Sequence, residues 1–265
     1  MSWLLSILAL YVGICLVLYV FQNRLIYFPS RALAHTPDSI GLDWEEIWLV
    51  TDQDEQVHAW FVPHPDARAV AVYCHGNAGN ISGRMHTLRM LHAARLSTLI
   101  FDYTGYGQSG GKVGEDECYR SARAAVKYAR EALAAERVVL IGRSLGGGIA
   151  TRMASERAPD ALVLQSTFLS LADVAKDLYP WLPARLITGN RFPSKDLIGA
   201  IDCPILIAHG TSDRTIPFTH GEGLFAAAQE PKAFVALDGG HNDAYSVSEA
   251  KFVDALVAFL DQHIP

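Results

Sequence analysis

A serine hydroxyl attacks a carbonyl only when a neighbouring base takes its proton, and the backbone must present it clear of its surroundings. The segment Gly142-Arg143-Ser144-Leu145-Gly146 offers such a presentation. It reads Gly-x-Ser-x-Gly, follows the apolar run Val138-Val139-Leu140-Ile141 and precedes a helical pattern. A sharp strand-to-helix turn at the serine crowds the residues two places away, so only glycine-sized residues fit at 142 and 146. The turn would lift Ser144 over the end of a sheet, at the positive end of the following helix. The bland alternative is a glycine-rich turn carrying an incidental serine. The strand before it and the helix after it argue for a nucleophile.

A base should follow in chain order, and four histidines do: His209, His220, His241 and His263. His263 falls in a terminal helical pattern and His220 beside a helix start. His209 ends a strand pattern, in His209-Gly210-Thr211-Ser212-Asp213. His241 lies in Asp238-Gly239-Gly240-His241-Asn242-Asp243, the loop before the last helix, where a sheet of this kind delivers its base. Asp213, in the loop after the Ile205–Ala208 run, is the expected partner that fixes the imidazole tautomer. Asp238 is the rival acid, but it ends the last strand only three residues before His241 and is expected to face away. Taken singly, each Asp or His is more often a turn residue. The order Ser144, Asp213, His241 gives them a joint role.

Acyl transfer also needs two donors for the oxyanion. The Leu145 amide, next after the serine, is one. The second is expected from the loop His75-Gly76-Asn77-Ala78-Gly79-Asn80, with the Asn77 amide as the choice. His75 reads as a loop-stabilising residue rather than a second base.

These residues need a scaffold that brings loop ends together. Ile47–Val50 and Val57–Val62 read as a hairpin. The apolar runs Ala69–Cys74, Ser97–Phe101, Arg137–Ile141, Ala161–Gln165, Ile205–Ala208 and Ala233–Leu237 then alternate with helical patterns at Met85–Arg95, Cys118–Ala135, Gly147–Ala158, Gly221–Ala228 and Phe252–His263. Short runs without period-two alternation describe strands buried on both faces. The expected class is therefore α/β, a mostly parallel twisted sheet flanked by helices. Residues 169–201 break the rhythm, with Pro180, Pro183, Pro193, Tyr179, Trp181 and Phe192 and no strand pattern. They are expected to form a small lid, the alternative being a plain long connection.

The chain of 265 residues suits one large domain, and its net charge of −6 comes with no basic cluster, which argues against nucleic-acid binding. The N-terminus differs from everything after it. Trp3 to Phe21 is an apolar run of 19 residues, long enough for a hydrocarbon core, and aromatic residues flank it. Residues 1–23 are expected to be an uncleaved membrane anchor and 29–265 the folded domain. A cleaved signal peptide lacks its basic front and a nearby small-residue site here. A buried core helix of this length would carry a charged face. Arg24 and Arg31 follow the run, so the positive-inside rule slightly favours a cytoplasmic domain. The four cysteines suggest no disulfide framework. No group of residues has metal-ligand spacing, and the expected chemistry calls for neither metal nor cofactor. Nothing in the pattern bears on oligomeric state.

Taken together, these segments resemble the Bem46-like branch of the α/β-hydrolase superfamily, a group of membrane-anchored serine hydrolases. The resemblance runs through the apolar N-terminus, Arg24-Leu25-Ile26-Tyr27-Phe28-Pro29, His75 to Asn80, Asp102-Tyr103-Thr104-Gly105-Tyr106-Gly107-Gln108-Ser109-Gly110, the Ser144 segment, Asp213 and Gly240-His241-Asn242-Asp243. Thr104 departs from it, the family often carrying Arg there. The resemblance implies hydrolysis of acyl esters or thioesters, and the small lid and the membrane position suggest a lipophilic acyl chain and contact with membrane lipid. A peptidase with the same triad and a non-catalytic, membrane-tethered binding protein are the alternatives.

Overall fold

The computed structural model describes residues 2–264. The first residue of the expected anchor and the last of the expected domain lie outside the described residues. The N-terminal run forms one helix, α1 (Ser2–Ile26), three residues longer than expected. Its mean hydropathy of 2.6 and its length suffice to cross a membrane. It is not a core helix: most of its apolar side chains are exposed, and Cys15 alone among them is fully buried. The residues that the protein covers fully or in part are Tyr11, Cys15, Leu18, Gln22 and Ile26, one stripe at helical spacing.

Every apolar run becomes a strand. β1 (Glu45–Val50) and β2 (Gln56–Val62) form the antiparallel hairpin, and the Thr51 hydroxyl accepts from the Gln53 and Glu55 amides to tighten its turn. Then follow β3 (Ala69–Cys74), α2 (Met85–Ala93), β4 (Leu96–Phe101), α3 (Glu115–Glu131), β5 (Val138–Arg143), α4 (Leu145–Glu156) and β6 (Ala161–Gln165). Three short helices come next, α5 (Leu171–Leu178), α6 (Ala184–Ile187) and α7 (Ser194–Ile198). The chain ends with β7 (Ile205–Gly210), α8 (Phe218–Ala227), β8 (Lys232–Leu237), α9 (Ala244–Val247) and α10 (Glu249–His263). α3 starts at Glu115 rather than Cys118. Glu115, Asp116 and Glu117 look like loop by composition, yet carboxylates in a first turn complement the helix dipole.

The eight strands lie in the order β1-β2-β4-β3-β5-β6-β7-β8, parallel from β4 through β8, with β2 antiparallel to both of its neighbours. Both faces are buried. Val72 and Cys74 of β3 join the cluster under α3, α4 and α8, while Ala71 and Tyr73 join the one under α2 and α10. That is why the runs show no alternation. The chain leaves β3 to one side for β4 and returns to its other side for β5. This is a switch point, beyond whose carboxyl ends a crevice opens. The loops after β3 and β5 carry Asn77 and Ser144.

Candidate active site

Ser144 sits between β5 and α4 with φ 53° and ψ −120°, a conformation that costs energy for any residue with a side chain. The surroundings enforce it. The Ser144 amide donates to the Gln165 carbonyl (2.9 Å), and its carbonyl accepts from the Thr167 hydroxyl (2.7 Å). A Cβ at position 142 would run into the Gly146 carbonyl, and one at position 146 into the Cys74 carbonyl. Glycine at both places is therefore a packing requirement.

The loops after β7 and β8 bring the remaining candidates to the hydroxyl. The Ser144 hydroxyl donates to His241 Nε2 at 3.0 Å, and His241 Nδ1–H donates to Asp213 Oδ2 at 2.7 Å. Asp213 Oδ1 accepts the amides of Thr215 (2.9 Å) and Ile216 (2.8 Å). Burial pushes the Asp213 carboxyl upward, but the contacts from His209 and His241 outweigh it and hold the group well below the usual carboxylate range. Asp238 is exposed and is not hydrogen-bonded to His241. His220 and His263 lie elsewhere, His220 paired with Asp177 (3.0 Å) and His263 against Phe259.

Three supporting residues were not legible as such. His209 donates to the Ile216 carbonyl (2.9 Å) and places its Nε2 at 3.6 Å from Asp213 Oδ2, a second imidazole on the same carboxylate. Arg143 donates to the His241 carbonyl (3.1 Å) and stacks on Tyr245 (4.9 Å), which fastens the histidine loop to the serine turn. Asp243 Oδ1 accepts the Gly240 amide (2.7 Å) and closes that loop. The identity of position 143 inside Gly-x-Ser-x-Gly was the one available signal.

Across from the histidine stand the candidate oxyanion donors. Leu145 is the first residue of α4, where a helix leaves its amides without internal acceptors. The Asn77 amide likewise has no acceptor among the described residues. The Asn77 side chain is occupied differently. Its Nδ2 donates to the Ile26 carbonyl at the end of α1, and its Oδ1 accepts from the Tyr106 hydroxyl (2.9 Å) and the Phe28 amide (3.3 Å). Beneath this loop lies a sealed cluster. Asp102 approaches His75 Nε2 (3.4 Å) and His58 Nδ1 (3.8 Å), and it accepts the Ile81 amide (3.0 Å). His75 Nδ1 donates to the Gly76 carbonyl (2.7 Å), and its ring stacks on Tyr103.

Ser144 and Leu145 are among the residues lining a predominantly apolar cavity of about 630 Å³. Its walls draw on α1 with Leu18 and Leu25 and on α5 and α6 with Val174, Leu178 and Ile187. Among the described residues no three His, Cys, Asp or Glu side chains converge as metal ligands. The arrangement offers a polarised hydroxyl, a proton acceptor held in one tautomer, free amides opposite, and an apolar compartment alongside.

A family described as alpha/beta hydrolase fold matches residues 71–196. The chain is 36% identical over 255 residues to an uncharacterised protein of Mycobacterium tuberculosis, Rv2307c, a match covering 94% of this chain and 91% of that one. The chain belongs to the α/β-hydrolase family, and membership supports a hydrolase activity. It is also 30% identical over 241 residues to an uncharacterised membrane protein of Saccharomyces cerevisiae, YNL320W, covering 85% and 84% of the two chains. That relative and the exposed apolar helix together support membrane anchoring. Among solved structures, the Pyrococcus furiosus esterase Pf2001 superposes with a TM-score of 0.78 over 91% of this chain and 99% of its own, at 18% identity.

Proposed function

We propose that this chain is a membrane-anchored serine hydrolase of the Bem46-like kind that cleaves lipophilic acyl esters or thioesters. The observation that carries the reading is the continuous relay from the Ser144 hydroxyl through His241 to Asp213, with Ser144 lining an apolar cavity. In the first half-reaction, Ser144 Oγ bonds to the acyl carbon while its proton passes to His241 Nε2. The carbonyl electrons move to the oxygen, which the Asn77 and Leu145 amides hold. Collapse breaks the bond to the leaving alcohol or thiol, which takes the proton from His241. Water then repeats the sequence on the acyl-enzyme, His241 again accepting and returning one proton, and the fatty acid and free serine are regenerated. Asp213 stays ionised throughout and stabilises the imidazolium.

Helix α1 serves as the anchor, and Arg24 and Arg31 after the apolar run favour a domain on the cytoplasmic face. The test is fluorophosphonate labelling of the full chain beside Ser144→Ala. Labelling and ester turnover are expected to vanish in the variant, turnover falling by about 10⁶-fold as for other triads, with the melting temperature unchanged. Retained turnover would overturn the mechanism.

A further inference from the structure

The helix expected to serve as a tether is also a wall of the cavity. Ile14, Leu18, Gln22 and Leu25 line it from α1, Val174 and Leu178 from α5, and Ser144 is part of the same lining. The docking is polar and specific at both ends of the contact. The Tyr11 hydroxyl donates to the Trp181 carbonyl (2.9 Å). Gln22 Oε1 accepts from the Gly189 amide (2.8 Å), and Asn23 Oδ1 accepts from Asn190 Nδ2 (2.8 Å).

These contacts set a depth. Gln22 and Asn23 are the polar groups that end the apolar run, and they sit level with Asn190. From Gln22 back to Tyr11 is eleven residues, or about 16 Å of helix at 1.5 Å per residue. That is roughly half of a hydrocarbon core of about 30 Å. If α1 lies in a bilayer, the segment hydrogen-bonded to Tyr11 is carried down with it, through about one leaflet. Its residues suit that depth: Leu178, Tyr179, Trp181 and Leu186 are all exposed, Leu186 by 84%. The charges in the segment are Asp173, Lys176, Asp177 and Arg185; Arg185 pairs with Asp173 (3.4 Å), Asp177 pairs with His220 (3.0 Å), and the exposed Lys176 has a stem long enough to carry its head toward water.

We infer that the cavity is loaded sideways from the bilayer: the acyl chain of a membrane-resident lipid ester slides between α1 and α5–α6, and its ester reaches Ser144 at the interface. The inference deepens the proposed function by naming substrate class and route, and it rests on that reading for the chemistry and for the membrane position of α1. α1 is then a specificity-determining wall, and Leu18 is the residue whose enlargement blocks the channel.

The test uses the full chain in phosphatidylcholine vesicles doped with a phosphatidylcholine that carries a diazirine in its acyl chain. Any helix in a bilayer is labelled on its outer face, so the informative adducts are those on Phe168 and Val174. Phe168 is buried and lines the cavity. The expected result is photolabelling of both, lost in Leu18→Trp and kept in Val20→Trp, which alters the exposed opposite face. In parallel, Leu18→Trp should lower the ratio of palmitoyl to acetyl para-nitrophenyl ester hydrolysis by about tenfold or more. Absence of adducts at Phe168 and Val174 in the wild type overturns the inference, as does an equal fall for both esters. Wild-type turnover measured beside photolabelling separates the two readings. Photolabelling that persists without any turnover in the wild type would sink the hydrolase reading and leave the lipid channel standing.

Discussion

The molecule contains the same three-residue chemistry twice. Asp213 faces His209 and His241, and Asp102 faces His58 and His75. Both aspartates are buried. In both, desolvation works upward, the imidazole contacts outweigh it, and the carboxyl lies below its usual range. The difference is what lies beyond the second imidazole. His241 is 13% exposed and ends on a serine hydroxyl beside a cavity. His75 is fully sealed, and its remaining nitrogen ends on the Gly76 carbonyl. An aspartate–histidine pair is therefore no marker of reactivity. Under the proposed function, the partner beyond it and the access to it separate the roles, one cluster suited to proton transfer and the other to holding the loop that carries Asn77.

That comparison can be broken experimentally. The largest effect is expected from Asp213→Asn, which keeps the shape but leaves His241 free to take the wrong tautomer. Turnover should fall by about 10⁴-fold, measured on a soluble ester, with the folded state retained. Asp102→Asn should act in the opposite sense, costing about 3 kcal/mol of stability because it removes one partner of a buried charged cluster. Turnover per folded molecule should change far less. The Asp102 carboxyl is lowered on folding, so its contribution is complete above its unfolded value of about 4 and fades as pH falls through the lower folded value. Denaturant titrations should thus show the gap between wild type and Asp102→Asn closing in acid. A variant gap that widens in acid would contradict this assignment. The smallest effect is expected from Arg143→Met. Losing the tie to the His241 carbonyl should lower kcat about tenfold, with KM and melting temperature nearly unchanged and partial recovery in Arg143→Lys.

How readily each part could be read from sequence follows from how local its cause is. The eight strands were legible because a strand buried on both faces must be a short apolar run, and helices must separate parallel neighbours. Ser144 was legible because the crowding at its turn falls on residues two places away, leaving Gly142 and Gly146 as a printed trace. Asp213 and His241 were legible only in relation to Ser144. The Arg143 clamp, the second imidazole on Asp213 and the Asn77 side-chain bond to Ile26 were not, since each joins loops far apart in sequence and any polar residue would look the same there. The docking stripe of α1 was hidden for another reason. The covered face carries only a few polar markers, Tyr11 and Gln22, among residues otherwise as apolar as those of the exposed face, too few for a periodicity to betray the difference.

The stripe bears on how the sequence can drift. A segment that merely tethers a domain may exchange its residues freely as long as it stays apolar and long enough. Here Tyr11, Gln22 and Asn23 are bonded to the chain around residues 181–190, and the end of the helix is bonded to the Asn77 loop. Substitutions along that face are constrained as in a protein interior, and compensating changes should appear in residues 171–190. The outward face, carrying Leu16 and Val20, is under no such coupling. Two rates of change are expected side by side on one helix, and replacing it wholesale with a foreign anchor would keep the address and lose the wall.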